Sequence, residues 1–447
     1  MKRSHELTTI RRSWHDSLGK AIGFAGIAVL GTIGLAGCTG DSNSDALARA
    51  VFVGTNHNNT TNSSEPANQI AMYNRALDGS LTLLGKFDTG GQGSGPGQRF
   101  AGDGLGASHS VRLSPDKKFL LVTNAGSNNL TVFRVSSSGL TRTDLQPTGD
   151  GSPGHRFPNS VTMFGSLVYV LNSADQGSIT GFTLSSTGTL SPIANSTRTI
   201  NGNQARFAPD AVTNPAQVSF TPDGKHLVVS IKDGPVAGAI PGTPPTGTGR
   251  LLGFGVNADG TPSTTFTQIG TSNAGPFGFS FDNNGNLLAA LFVGGGADGT
   301  AAAGAYKVNA DSTITPIGAV VKDTQLDTCW LENNGAYAFG ANYTSATISS
   351  FKINADGSLS LIKAVAGTTV APGNSQGSTP LDLAISSDGQ FLYNVLPGSG
   401  KVAAWRIGAD GTLTKVGEFA GLPQTVNGDS GPIDFGAGGS PAGIDAT

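Results

Sequence analysis

From residue 50 onward the chain is a succession of short apolar runs, broken at close intervals by Pro, Asp, Asn and Gly. One copy reads Ser108-His109-Ser110-Val111-Arg112-Leu113-Ser114-Pro115-Asp116-Lys117 and continues Phe119-Leu120-Leu121-Val122-Thr123-Asn124. A later copy reads Val218-Ser219-Phe220-Thr221-Pro222-Asp223-Gly224-Lys225 and continues Leu227-Val228-Val229. Runs this short, rich in β-branched and aromatic residues and bounded by turn formers, predict strands. The unit recurs seven times, with innermost strands starting at Ser108, Pro158, Pro215, Pro276, Leu326, Pro380 and Pro441. A strand-rich unit repeating about every 50–60 residues marks propeller blades of four strands. The expected fold is all-β, a seven-bladed β-propeller of four-stranded antiparallel blades.

The two chain ends complete each other. Val51-Phe52-Val53, Ile70-Ala71-Met72-Tyr73 and Leu81-Thr82-Leu83-Leu84 read as strands two, three and four of a first unit that lacks its first strand, whereas Pro441-Ala442-Gly443-Ile444-Asp445 reads as a first strand with nothing after it. The C-terminal strand is therefore expected to complete the N-terminal blade and close the ring, which removes an open sheet edge.

Two families of turn recur. Ser114-Pro115-Asp116, Thr221-Pro222-Asp223-Gly224, Asp282-Asn283-Asn284-Gly285, Glu332-Asn333-Asn334-Gly335 and Ser387-Asp388-Gly389 join strands one and two, and Leu77-Asp78-Gly79, Ala258-Asp259-Gly260, Ala355-Asp356-Gly357 and Ala409-Asp410-Gly411 join strands three and four. Asp-Gly and Asn-Gly supply the positive φ of tight hairpins, and none of these turns has the ligand spacing of a calcium loop. All fall on one face of the ring. The long Gly-rich connections, such as residues 55–68, 89–107, 146–157, 201–214 and 233–249, fall on the other, which makes the loop-rich mouth of the central channel the expected site.

The first 37 residues are an address. A polar, basic stretch precedes an apolar segment at residues 21–36, too short to span a bilayer comfortably, and that segment ends at Leu35-Ala36-Gly37-Cys38. This resembles the bacterial lipobox, which implies lipidation at Cys38, a tether over residues 38–49 and a propeller over residues 50–447. Thr39, rather than Asp, follows Cys38, and the resemblance to Gram-negative sorting signals then implies a cell-envelope lipoprotein of the outer membrane, held to the membrane by its lipid anchor alone.

Composition removes other classes. The whole chain carries a net charge of −3, with 27 basic and 30 acidic side chains, so no basic field is present to hold nucleic acid. Two cysteines, Cys38 and Cys329, give no disulfide framework. Cys329 aligns with Val111, Val218, Phe279, Leu383 and Ile444, which makes it a packed core residue. No cofactor and no metal site are expected, and the chain is expected to be a monomer.

The candidate chemistry lies beside the inner strands. Arg99-Phe100, Arg156-Phe157 and Arg206-Phe207 each end a long loop just before an inner strand, and His155 and His109 stand next to them. Brought together at the axis, Arg99, Arg156, Arg206 and His155 would hold a small anionic ligand, Arg being suited to bidentate contact with carboxylate or phosphate. His109, an imidazole with a pKa near neutrality, would act on it as a catalytic group. The alternative is that each Phe fills a groove while each Arg bonds loop carbonyls. Asp327, Asp382 and Asp445 lie in inner strands, where they either bond neighbouring backbone or supply a base.

The units resemble those of the lactonase-family propellers, which include propeller-type 6-phosphogluconolactonases and carboxymuconate cyclases. The resemblance covers roughly residues 50–447 and rests on His109 leading into an apolar strand, the Ser-Pro-Asp turns and the Asp-Gly-x-Leu hairpins. It implies hydrolysis of an anionic sugar lactone. Those enzymes also carry an Arg-His pair and a Glu in their middle blades, whereas Pro158-Asn159-Ser160 and Leu171-Asn172-Ser173 stand in the third unit here. Val122-Thr123-Asn124 resembles the short repeat of surface-layer propellers, which implies the alternative of a non-catalytic binding or display module.

Overall fold

The computed structural model describes residues 49–96, 102–202, 204, 213–232, 249–271, 275–292, 301–369, 379–425 and 437–447. The leader over residues 1–37, Cys38, Arg99 and Arg206 lie outside the described residues. The described chain forms seven antiparallel sheets in a ring.

Blade 2 shows the plan. Its inner strand is Val111–Leu113, followed by Phe119–Asn124, Asn129–Ser136 and the outer strand Gly139–Pro147. The second strand is buried at every position, because neighbouring blades cover both of its faces. The outer strand of blade 1, Leu81–Asp88, buries only its first residue and exposes most of the rest. Apolar content thus falls from axis to rim, as a wedge-shaped sheet requires. The remaining inner strands are Pro158–Phe164, Pro215–Phe220, Gly275–Phe281, Thr328–Asn333 and Leu383–Ile385, in blades 3 to 7.

Blade 1 is composite, as the unpaired ends predict. Ile444–Ala446 runs antiparallel to Ala50–Gly54, pairing Val51 with Ala446, Phe52 with Asp445 and Val53 with Ile444. Thr447 finishes the seam. Its N–H donates to the Ala50 carbonyl at 2.9 Å, its hydroxyl accepts from the Ala50 N–H at 2.7 Å, and its carbonyl accepts from Arg75 at 3.1 Å.

One column of the repeat alignment shifts. Inner strands carry bulges near their starts, at Pro158/Ser160, Pro215/Gln217, Pro276/Phe279 and Thr328/Trp330. The first turn of blade 6 is also shorter. Asn334 N–H closes onto Tyr337, three residues on, where Ser114 N–H closes onto Phe119, five residues on. Counted back from the turn, Leu331 and not Cys329 takes the place of Val111. Cys329 is still a core residue, 5% exposed, and burial pushes its thiol pKa well up.

Candidate functional site

The same count defines what lines the channel. Arg112, Thr162, Ser219, Ser280, Glu332, Ala384 and Asp445 come one from each inner strand, and all seven line two adjoining cavities of about 340 Å³ and 300 Å³. The cavities share Arg112, Glu332 and Asn333. One position per blade therefore makes a ring that is polar at six places out of seven, at a register where an ordinary β-sandwich would bury aliphatic side chains.

His109 lies just behind this ring. Its backbone is left-handed, with φ +63°, a conformation that a non-Gly residue holds only when its surroundings impose it. Here the N–H donates to Asp382 Oδ2 at 3.1 Å and the carbonyl accepts from Val161 at 2.9 Å. Both ring nitrogens are engaged. Nε2 lies 2.8 Å from Glu332 Oε1 and Nδ1 lies 3.1 Å from Gln217 Nε2. The Gln217 amide cannot turn over, because Oε1 accepts from Phe279 N–H at 2.8 Å and Nε2 donates to the Phe279 carbonyl at 2.7 Å. Its second N–H therefore points at Nδ1, which must accept. The imidazole is then neutral with its proton on Nε2, donated to Glu332. Burial lowers the His109 pKa well below the usual value, and nearby Arg112 lowers it further.

Glu332 is the reverse case. Burial raises its carboxyl to about 8 against the pull of Arg112. Arg112 Nε stands 3.6 Å from Asp445 Oδ2, and Asp445 also accepts from Leu113 N–H at 2.8 Å. The guanidinium thus meets Asp445 at Nε, and Arg112 lines both cavities. Asp382 is likewise raised to about 8 by burial, opposed by the Ser108 hydroxyl at 2.9 Å.

These shifts set a pH dependence of folding. An unfolded Glu ionises near pH ~4.3, so between that pH and about 8 the folded chain holds a proton on Glu332 that the unfolded chain has lost. The stabilisation is full at acid pH and disappears as pH rises through the folded pKa. Urea midpoints are expected to be higher at pH 5 than at pH 8.5, with a shallower slope in Glu332→Gln. Equal slopes would show that Glu332 is not held protonated.

Sequence reasoning placed His109 near the axis but missed Glu332, Gln217 and Arg112. Glu332 was read as the first residue of a turn. The usable signal was the shorter blade 6 hairpin, which moves it back onto the inner strand. The structure does not bring His155 and Arg156 to His109. His155 Nδ1 lies 3.0 Å from Asp150 and Arg156 Nε donates to the Gly151 carbonyl at 2.6 Å, both within their own loop, while Phe157 is buried. Arg99 and Arg206 belong to the undescribed residues. Asp382 and Asp445 bond backbone of blade 2, the first of their two expected roles, and Asp327 receives the Thr344 hydroxyl. Among the described residues no cluster of His, Cys, Asp or Glu could hold a metal ion.

The cavities open among the short turns, through Pro115, Pro222, Asn334 and Ser387, rather than among the long loops. Residues 102–108 explain this. The Leu105 carbonyl accepts from Asn214, the Gly106 carbonyl from the buried Lys232, and the Ala107 carbonyl from Trp330. Gly104 N–H donates to Ser440 and Ser108 N–H to the Ala216 carbonyl. A segment bonded to blades 4 and 6 and to the lead-in of blade 1 lies across the axis, and its Leu105 and Ala107 are buried.

Comparison with known proteins agrees with this architecture. The family described as "Lactonase, 7-bladed beta-propeller" matches residues 56–292 and 289–432. A Bacteroides uniformis structure, described provisionally as a 6-phosphogluconolactonase, superposes with TM-score 0.60 at 18% identity, covering 89% of this chain and 99% of that one. The periplasmic gluconolactonase of Pseudomonas aeruginosa superposes with TM-score 0.58 at 16% identity, covering 89% and 98%. At these identities the likeness is one of fold. No curated protein matches the chain.

Proposed function

Because this chain belongs to the Lactonase family of seven-bladed β-propellers, we propose that it hydrolyses a sugar lactone in the cavity around Glu332. The observation that carries the reading is a buried carboxyl with a raised pKa, oriented by a neutral imidazole at 2.8 Å and faced by a guanidinium. Paired groups whose environments push their pKa values apart mark acid–base machinery.

In this reading Glu332 in its carboxylate form takes a proton from water. The water oxygen bonds to the lactone carbonyl carbon, and the terminal nitrogens of Arg112 stabilise the oxygen that becomes negative. The ring C–O bond then breaks, and Glu332 returns the proton to the departing ring oxygen. Lactone plus water gives a hydroxy acid. His109 does not reach water, since both ring nitrogens are in use; it is a positioning residue that fixes the carboxyl. One guanidinium, already facing Asp445, favours an uncharged lactone at this site over an anionic one. A lipid anchor at Cys38 and an envelope location complete the proposal, supported by the leader pattern.

The test is hydrolysis of glucono-δ-lactone by the purified protein, followed as acid release over the spontaneous rate. No rate above that background would remove the reading. Arg156→Ala is expected to leave kcat/KM within about two-fold, since its guanidinium bonds its own loop; a large loss would instead favour an anion site on the loop-rich face.

A further inference from the structure

The outer turn of blade 5 departs from the repeat, and between blades 5 and 6 Gly357 meets Asn286. At four other interfaces, the glycine of an outer turn sits in left-handed conformation against the residue that opens the second strand of the preceding blade: Gly79 against Phe391, Gly188 against Phe119, Gly260 against Leu167 and Gly411 against Tyr337. A Cβ on these glycines would come within 2.3, 2.5, 2.8 and 2.6 Å of those side chains, respectively. Positive φ and contact with a large apolar group both call for glycine there. Between blades 4 and 5 the partners are His226 and Ser312. The turn itself is unchanged, with Ser312 N–H closing onto the Asn309 carbonyl at 2.9 Å. Ser312 keeps φ +68° without being glycine, and its hydroxyl lies 3.0 Å from His226 Nδ1.

A groove of about 720 Å³ lies at this interface, on the short-turn face. It runs from Thr221 and Pro222, which also line the central cavity, out to Val308 and Ala310. His226 lines it, and because Ser312 engages Nδ1, Nε2 is the nitrogen presented to the groove. Asn283 and Asn284 are exposed along it. Its two charged groups, Asp223 and Lys225, lie 3.4 Å apart and neutralise each other.

We propose that this groove is a subsite for an uncharged polyhydroxylated chain, so that the substrate is the lactone of an oligosaccharide, with its reacting ring at Glu332 and its further sugars lying toward Ala310. Amides and an imidazole are the donors and acceptors that hydroxyl groups require, and a balanced charge pair excludes neither a neutral nor a long ligand. Ser312 is left-handed where Gly79, Gly188, Gly260, Gly357 and Gly411 hold the outer turns of other blades, and it bonds an imidazole where four of those glycines meet an apolar side chain and Gly357 meets Asn286; such outliers gather at functional sites. The inference rests on the lactonase reading for the reaction but not for the binding.

The experiment compares glucono-δ-lactone with neutral di- and trisaccharide aldonolactones. KM is expected to fall about ten-fold or more from one sugar to three, with kcat little changed. The double variant Asn283→Ala/Asn284→Ala, on an exposed turn, and the variant His226→Phe/Ser312→Gly, which restores the pattern of those four interfaces, should abolish that gain while leaving glucono-δ-lactone hydrolysis unchanged. A KM independent of length, or a length effect untouched by both variants, would overturn the subsite while leaving the lactonase reading intact. If no lactone is hydrolysed, calorimetric titration with the trisaccharide aldonates decides. Binding lost in both variants supports the groove, and absence of binding by the unaltered protein ends it.

Discussion

Removal of residues 443–447 is expected to lower the thermal unfolding midpoint by about 7 °C or more and to make the protein aggregate. The five residues form the inner strand of blade 1. Ile444 is fully buried there, which alone is worth about 2–3 kcal/mol. Hydrogen bonds to Gly54, Ala50, Arg75 and Leu113 go with it, at about 1 kcal/mol each. The loss is on the order of 6 kcal/mol, and roughly 340 described residues carry an unfolding entropy of ~0.7 kcal/mol/K, from which a shift of this size follows. The ring also loses its closure. Ala50–Gly54, an apolar strand buried at every position, becomes an exposed edge, and such edges recruit other chains. Scanning calorimetry with light scattering checks this. An unchanged midpoint and a monodisperse variant would mean that the seam does not hold the ring.

Glu332→Gln carries the largest expected effect on activity. The amide has the shape of the carboxyl but cannot take a proton from water, so kcat is expected to fall about 10²–10⁴-fold with KM within a few-fold. In the unaltered protein the enzymatic rate, corrected for spontaneous hydrolysis, should rise with pH through an apparent pKa near 8, where Glu332 ionises. The variant should lose that rise. Gln217→Leu separates positioning from catalysis. Without its N–H, nothing fixes the His109 proton on Nε2, and a ring that burial keeps neutral can turn an acceptor toward Glu332. Its kcat should fall while the profile stays near 8. An unchanged kcat would show that the locked tautomer does not matter.

The repeat, the turns and the closing strand were legible in the sequence because each is a local signal. Asp-Gly and Asn-Gly turns, Pro at the strand start and the unpaired segments at the two ends need no knowledge of neighbours. The candidate site was legible in part. His109 stands out beside an inner strand, and Asp382 and Asp445 lie where an axis-facing carboxylate is expected. Glu332 did not, because it precedes an Asn-Asn-Gly turn and looks like a member of it. The arginines that end the long loops drew attention by their repetition, yet Arg156 turns back onto its own loop carbonyl. The cavity that holds His109 opens at the mouth opposite to the one the long loops pointed to, since nothing in their composition reveals that residues 102–108 cross the axis.

By itself, then, the chain's pattern determined seven four-stranded blades and a seam between its ends. Both follow from short apolar runs and turn chemistry, which act over a few residues. Only the tertiary structure decided which groups meet at the axis. His109, Gln217 and Glu332 are brought together across 108 and 223 residues of chain, through bulges that rephase each inner strand and a ring that must close before the last of them can face one another.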